Sequence, residues 1–512
     1  MVYTKQIARD YYDVIIIGSG MAGLSCAANL VARGLSVLVL EQHYIPGGAT
    51  TMFKRGNFYF EGGGHRVTGI KTPGAPLYEL LTIVEPERRI KTVPINPSYV
   101  VKIKGKTLYA DLDIQKYKQN LIELFPAQAN SIKKFIADMQ TINQALKYVV
   151  AGRVNPLRLF TQYRLFIKYS KSTVAQVMNE YFTDNELITF VTAVGNYTTL
   201  PISQQSFINF ANMWSAHHLG EGMSLIEGGT RILVEAIVNY IEEHGGQVVV
   251  SKDVSKIIIE NQKAVGVETR DGAIINAGFI VSTASNEETY LKLIDPSYLK
   301  PSFIKQIQQQ VQSGALFQLF LGIKELDKSG LENVTTFVLG SEEYAEHLKK
   351  INNWDIEAIT AGAVLTVEGS EHSPAGMRSI NISCLCPYDH PENWYINGSD
   401  KKKYNEFKEQ LADRLIETMA SHIPYLKNRI VLKNTATPLT MYHYTRATRG
   451  GLQGLAHTLS QSGKNRGSLK SPVANLYRAG QYVFPGAGIV TVTTSGKLCA
   501  DLITSEFNRS AF

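Results

Sequence analysis

Cysteine is scarce: Cys26, Cys384, Cys386 and Cys499 are the four in 512 residues. They are too few and too scattered for a disulfide scaffold, which favours a reducing, cytoplasmic setting. Cys384 and Cys386 sit two apart in an apolar, strand-like run, so both thiols share one face and read as core rather than as a metal or redox pair. Charge is also sparse, at 19% against 44% apolar residues, the balance of a globular chain. A net charge of +7 is modest for this length, and no nucleic-acid partner is expected. Met1 to Asp13 mixes charges and lacks the apolar stretch of a secretory signal. The sequence contains no H-E-x-x-H, no G-x-S-x-G and no paired metal-ligand spacing, so no metal site is expected. Val14 to Ala32 is charge-free and would pass a hydropathy window, but Gly18, Gly20 and Gly23 divide it into a strand and a small-residue helix. It is not read as a membrane span.

What is present begins with that divided run. Val14-Ile15-Ile16-Ile17 is β-branched throughout, as suits a parallel strand buried on both faces. Gly18-Ser19-Gly20-Met21-Ala22-Gly23 follows as G-x-G-x-x-G. Leu24 to Arg33 predicts a helix, with Gly34 placed to end it. Val37 to Leu40 predicts the second strand, closed by Glu41. Gly18 permits a tight turn, Gly20 admits a pyrophosphate to the backbone, and Gly23 allows close helix–strand packing. The helix N-terminus presents free N–H groups and a positive dipole end to phosphates. Glu41 is placed to accept hydrogen bonds from both ribose hydroxyls and disfavours a 2′-phosphate.

A second glycine set, Ile45-Pro46-Gly47-Gly48, comes directly after Glu41, followed by Glu61-Gly62-Gly63-Gly64-His65. This order resembles the glutathione-reductase-like flavoproteins, where the second Gly-Gly turn lies along the pyrophosphate and ribityl chain. The resemblance implies non-covalent FAD. It also implies that Ser19, Met21, Ala22, Gln42, Ala49, Gly63, Gly64 and His65 belong to the cofactor site. Gly228-Gly229 leads into a helix predicted over Ile232 to Glu243. Strands are predicted at 248–250, 254–260, 264–269 and 274–283. In the superfamily, backbone at the position of Val254 meets the adenine, and Val281 to Ala284 returns beside the nucleotide. Asn475 to Gln481 predicts a strand ending at Gly480, and the resemblance implies that Gly480 and Gln481 belong to the cofactor site. Phe484-Pro485-Gly486-Ala487-Gly488-Ile489 opens a last helix whose amides, at Gly488, Ile489 and Val490, are implied to approach the flavin.

Taken together the motifs resemble the carotenoid desaturase, carotenoid cis–trans isomerase and retinol saturase group. The carriers are Glu41-Gln42-His43, Gly47-Gly48, Glu61-x-Gly63, Gly228-Gly229, Pro438-Leu439-Thr440 and G-Q-x-x-F-P-G-x-G from Gly480. Departures are Glu61 for the commoner Asp, and Tyr482 to Gly486 in place of a His-Pro-Gly ending. The resemblance implies an α/β fold: a Rossmann-like FAD domain of the glutathione-reductase/amine-oxidase type with an inserted α+β substrate domain. Residues 1–75, 220–290 and 466–512 are assigned to the first, and 76–219 and 291–465 to the second. It implies saturation, desaturation or isomerisation of double bonds in a long apolar polyene lipid, with the electron partner open. Alternatives are a flavin oxidase or isomerase of amines or fatty acids, and a non-catalytic prenyl-lipid chaperone of the Rab-escort kind.

Val154 to Ser172 mixes Leu157, Leu159, Phe160, Tyr163, Leu165 and Phe166 with Arg158, Arg164, Lys168 and Lys171. No acidic residue occurs from Met139 to Asn179. Such a segment suits an interfacial helix on anionic lipid, within a helical membrane-facing part at about 140–215, or an ordinary packed helix with a basic face. Peripheral membrane attachment is expected on the first reading. His65 and Arg66 leave the Gly62–Gly64 turn and are the catalytic candidates, with cofactor packing as the alternative. His217-His218 reads as a loop or interface pair.

Overall fold

The computed structural model describes residues 3–87, 89–150, 155–324, 334–339, 344–367, 370–388, 401–423 and 426–510. The strand Tyr11–Ile17 lies inside a seven-stranded sheet, with Val14, Ile15 and Ile16 fully buried. It pairs in parallel with Val37–Leu40 on one side and Ile274–Ser282 on the other. Gln247–Val249 continues the sheet beyond Val37–Leu40, and the meander Lys263–Thr269 and Val254–Glu260 beyond Ile274–Ser282. Ile274–Ser282 serves two neighbours in turn. Its Asn276 faces Gly266 in the meander, while Ile280 to Ser282 run parallel to Leu476–Arg478. The parallel strands therefore all end along one edge, at Ile17, Leu40, Val249, Ser282 and Arg478, where open α/β sheets bind ligands.

The helix Met21–Val31 starts three residues before the expected Leu24, because the glycine loop itself supplies its first turn. Its end is a Schellman motif: Leu35 N–H bonds Leu30 C=O, Gly34 N–H bonds Val31 C=O, and Gly34 takes φ +83°. Ile489–Ser510 packs across this helix, starting later than Phe484 because the turn through Gly488, at φ +102°, is not helical. A Cβ on Gly496 would stand 2.3 Å from Ala22 O, so this glycine sets how closely the two helices approach.

A second seven-stranded sheet is assembled from distant segments in the order Ile430–Ala436, Ala315–Lys324, Met377–Cys386, Ala363–Val367, Thr335–Val338, Tyr99–Ile103 and Lys106–Ala110. Cys384 and Cys386 are buried free thiols of its core, as their spacing predicts. A helical lobe, 114–218, packs a separate core around Tyr117, Phe135, Phe190, Phe207, Phe210 and Trp214. Here two expectations are corrected. His217 and His218 are neither loop nor interface residues: they end the helix Phe207–His218 and are buried, because its aromatic face turns them into this core. The 154–172 segment is not one helix. Val154 lies outside the described residues, and the rest forms Pro156–Gln162 and Arg164–Tyr169, broken where Tyr163 turns into the protein. No helix among the described residues is long and apolar enough to cross a membrane.

Candidate functional site

At the carboxyl edge of the first sheet, the predicted residues form a connected surface around the glycine loop. Gly18 adopts φ +98°, and a Cβ there would meet the Thr283 hydroxyl at 2.4 Å. A Cβ on Gly23 would stand 2.1 Å from Gly18 O, the close helix–strand packing its spacing implies. Gly20 differs from both: its φ is −61° and a Cβ would meet nothing within 4 Å, so open space lies in front of it. The buried Glu41 carboxylate accepts from Ser19 N (2.9 Å), Ser19 Oγ (2.7 Å) and His43 N (2.8 Å). These bonds hold it against the loop and leave further lone pairs for hydroxyl donors.

The second glycine set packs on the first. Gly47 N donates to Ser19 O at 3.0 Å, and a Cβ on Gly48 would stand 3.1 Å from Gly20 Cα. The chain then carries Ala49, whose carbonyl takes Gly64 N at 2.9 Å. A Cβ on Gly64 would stand 3.1 Å from the Ile489 side chain, and one on Gly480 would stand 3.6 Å from Ala22 Cβ. The N-terminal, middle and C-terminal glycine motifs are thus brought together. Val254 opens the first meander strand, and the chain leading to it is tied to Glu41 where Lys252 N donates to Glu41 O at 2.8 Å. Ala284 is placed by Arg478, which donates to its carbonyl at 2.6 Å. The Gln42 side chain points elsewhere: it donates to Tyr444 O (2.9 Å) and accepts from Arg446 Nε (2.8 Å). Val490 falls in the first turn of the last helix, where amides have no intrahelical acceptor.

Three supports escaped the sequence reading. Ser495 Oγ accepts from Gly480 N at 2.8 Å. Buried Arg466 donates to Gln481 O at 2.8 Å, fixing the turn after Gly480. Glu61 accepts from Thr230 N at 2.9 Å and from the Thr230 hydroxyl, tying the Glu61–Gly64 turn to the helix Thr230–Glu243. Of these, Glu61 stands in the Glu61-x-Gly63 motif and Thr230 directly after Gly228-Gly229, while Ser495 and Arg466 carried no signal.

Burial pushes the Glu61 carboxyl from 4.5 up to about 7, with the Thr230 bonds opposing. A folded-state value above the unfolded one means that folding takes up a proton between those limits. Its contribution is then fully present below about pH 4.5 and is lost as pH rises to about 7, by at most about 3 kcal/mol. We expect urea unfolding across that window to show this decline in the wild type and a shallower slope in Glu61→Gln. Equal slopes would assign the decline to other groups.

The model of the family described as flavin containing amine oxidoreductase matches residues 21–504. The chain belongs to this family. Among similar curated proteins, prolycopene isomerase 1 of an Oncidium hybrid cultivar is 24% identical, over 97% of this chain and 84% of its own. The lycopene-forming phytoene desaturase of Pseudescherichia vulneris is 24% identical, over 96% and 99%. The all-trans-retinol 13,14-reductase of Danio rerio is 24% identical, over 96% and 86%. Among solved structures, an oxidoreductase from Methanosarcina mazei superimposes with a TM-score of 0.64 at 18% identity, over 95% of this chain and 99% of that one.

The residues of this flavoprotein fit the cofactor its family binds. The open space before Gly20, the ring of close-packed glycines behind it and the Glu41 carboxylate suit a diphosphate and a ribose. Farther along, His65 Nδ1 donates to Gly63 O at 2.8 Å, leaving Nε2 as a bare acceptor, shielded from solvent and without a partner among the described residues. Burial, then the charge of Arg66, pulls this imidazole down to about 4. Burial and the same Arg66 charge hold His217 at about 3, its Nδ1 lying 2.8 Å from Ser98 Oγ.

Proposed function

We propose that this flavoprotein binds FAD non-covalently and acts on carbon–carbon double bonds of a long apolar polyene, by isomerisation, saturation or desaturation. Residues 1–75, 220–290 and 466–512 hold the cofactor, and 76–219 with 291–465 build the substrate side. The observation that carries the substrate reading is the company of the Gly63–Gly64 turn. His65, which follows that turn, is held neutral mainly by burial and so sets no charge of its own against an uncharged polyene. The named relatives that act on prolycopene, phytoene and retinol support the same class. The intact glycine ring and Glu41 favour an enzyme over a prenyl-lipid chaperone.

Bound flavin supplies reversible redox chemistry. The chain's own part is to bind and orient it: Gly18 to Gly23 and the first turn of Met21–Val31 toward the diphosphate, Glu41 toward the ribose, and the amides opening Ile489–Ser510 toward the ring. A positive helix end there would stabilise negative charge on the reduced ring. The test is anaerobic incubation of polyene extracts with the oxidised and the reduced yellow protein. Isomers formed without flavin reoxidation mean isomerase, saturated product with reoxidation means saturase, and dehydrogenated product from oxidised flavin means desaturase. Peroxide released from amines with no polyene converted would overturn the proposal.

The substrate would reach the protein from a bilayer. Leu157 and Phe160 are 71% and 65% exposed on one short helix, next to Arg158 and close to Arg164, which suits peripheral docking on anionic lipid. We expect Leu157→Asp with Phe160→Asp to weaken binding to phosphatidylserine vesicles by roughly 10- to 100-fold, from the apolar burial lost. Unchanged sedimentation with vesicles would remove this face from membrane contact.

A further inference from the structure

Arg466 and Arg478 are both fully buried, and neither has a carboxylate partner among the described residues. Both hold backbone instead. Arg478 ends the strand Leu476–Arg478, in register with Ser282 and, one strand farther, with Ile17, from which the glycine loop departs. Its Nη2 donates to Ala284 O at 2.6 Å, while Nε and Nη1 meet no acceptor among the described residues. Ala284 follows Thr283, whose carbonyl would stand 3.6 Å from a Cβ on Gly480. Arg466 donates to Gln481 O from Nε (3.0 Å) and from Nη2 (2.8 Å), and a Cβ on Gly486 would stand 3.2 Å from its Nε. The two guanidinium groups are thus set against the stretch from Gly480 to Gly486 and the chain beside it, which lead into the last helix.

The groups packed around them carry no compensating charge. Burial pushes the Tyr482 phenol up to about 12, so it stays protonated, and its oxygen accepts from Thr448 N at 3.0 Å. Burial, then the Arg466 charge, drives His457 well below the usual imidazole range, and its Nδ1 lies 3.1 Å from Arg466 Nη1 as a neutral acceptor. The Arg478 guanidinium lies over the Tyr290 ring, 5.0 Å from its centre. Glu287 and Glu288, close to that ring along the chain, turn to Lys292 at 3.9 and 2.9 Å. Carbonyl dipoles satisfy N–H groups and leave the net charge in place. A buried charge without a counter-ion is costly, and its field is screened far less than that of a surface group. That cost is offset where negative charge develops beside it, and in a flavoprotein this happens on the ring as it is reduced. We propose that Arg466 and Arg478 act together as a fixed positive field behind the flavin ring, which stabilises its reduced, anionic form and raises its reduction potential. They are positioning residues and touch no reacting atom. This rests on the flavin reading above and adds the sign and the source of the potential.

The test is the two-electron midpoint potential of the FAD-loaded protein, read by equilibrium reduction against a reference dye. Arg478→Gln keeps an N–H for Ala284 O and removes the charge. It should lower the potential by at least about 30 mV, a tenfold change in the reduction equilibrium. Arg478→Lys keeps the charge and should hold the potential near that of the wild type. Arg466→Gln and Arg466→Lys should divide in the same way. Light-driven reduction of the wild type, which needs no variant to fold, should trap the one-electron flavin as the red anion. Equal potentials for the Gln and Lys variants, or a blue neutral one-electron flavin in the wild type, overturns the proposal. So does weaker flavin binding at an unchanged potential, which would turn the two charges toward the diphosphate. The two readings fail separately. A wild-type protein that takes up no flavin sinks the cofactor reading, and full occupancy with an unmoved potential sinks the field alone.

Discussion

Gly20→Val is expected to fold as stably as the wild-type apoprotein and to purify without flavin. The backbone at Gly20 is extended, at φ −61° and ψ 167°, where any residue sits without strain. A Cβ there meets nothing of the protein within 4 Å, so a branched side chain enters the space we propose for the diphosphate. Gly23→Ala is the contrast. Its methyl would stand 2.1 Å from Gly18 O, so the loop must move and stability should fall together with flavin. Flavin-to-protein ratios with apoprotein melting curves separate the two effects. A yellow Gly20→Val protein with wild-type occupancy would place the diphosphate elsewhere.

Arg466→Ala should lower the unfolding free energy by about 3–5 kcal/mol, the range for removing one partner from a buried charged network. The guanidinium is fully buried and binds carbonyls in place of a carboxylate: Gln453 O at 2.9 Å, Leu455 O at 2.8 Å and Gln481 O at 2.8 Å, with His457 Nδ1 at 3.1 Å. Truncation strands each of these acceptors away from water. Burial already lowers the Arg466 pKa to about 10, yet the group stays charged at neutral pH. The loss should be read by urea unfolding of the apoprotein. Weaker flavin retention should accompany it, because Gln481 belongs to the turn after Gly480. A change under about 1 kcal/mol would mean that these carbonyls find other donors.

Legibility in the sequence followed the range of the contacts. The strand–glycine loop–helix–strand unit is local, and the meander at Val254–Glu260 appears with its expected bounds. The Schellman stop at Gly34 was likewise readable from one residue in place. The second sheet was not readable in its pairing. It joins Tyr99–Ile103 to Thr335–Val338 and Ala315–Lys324 to Ile430–Ala436, and no local pattern encodes a partner more than a hundred residues away. Arg466 looks like a solvated loop residue until the fold closes over it. His217 and His218 look polar until a helix turns them among Tyr99, Tyr117 and Trp214. Gly496 carried a signal that passed unused: a glycine inside a helix is costly unless something packs against it, here Ala22 O.

Those distant contacts decide how the site works. Glu61 and Thr230 join two glycine motifs, while Ser495 and Arg466 hold the third, so the cofactor edge is braced from three separate stretches of chain. The four cysteines are buried as free thiols in apolar cores or between helices.

Acid precipitation of the purified yellow protein, with mass identification of the released chromophore, addresses the cofactor directly. FAD should leave entirely with the supernatant, at one equivalent per chain. A colour that stays with the precipitate, or a supernatant without FAD, would contradict the account.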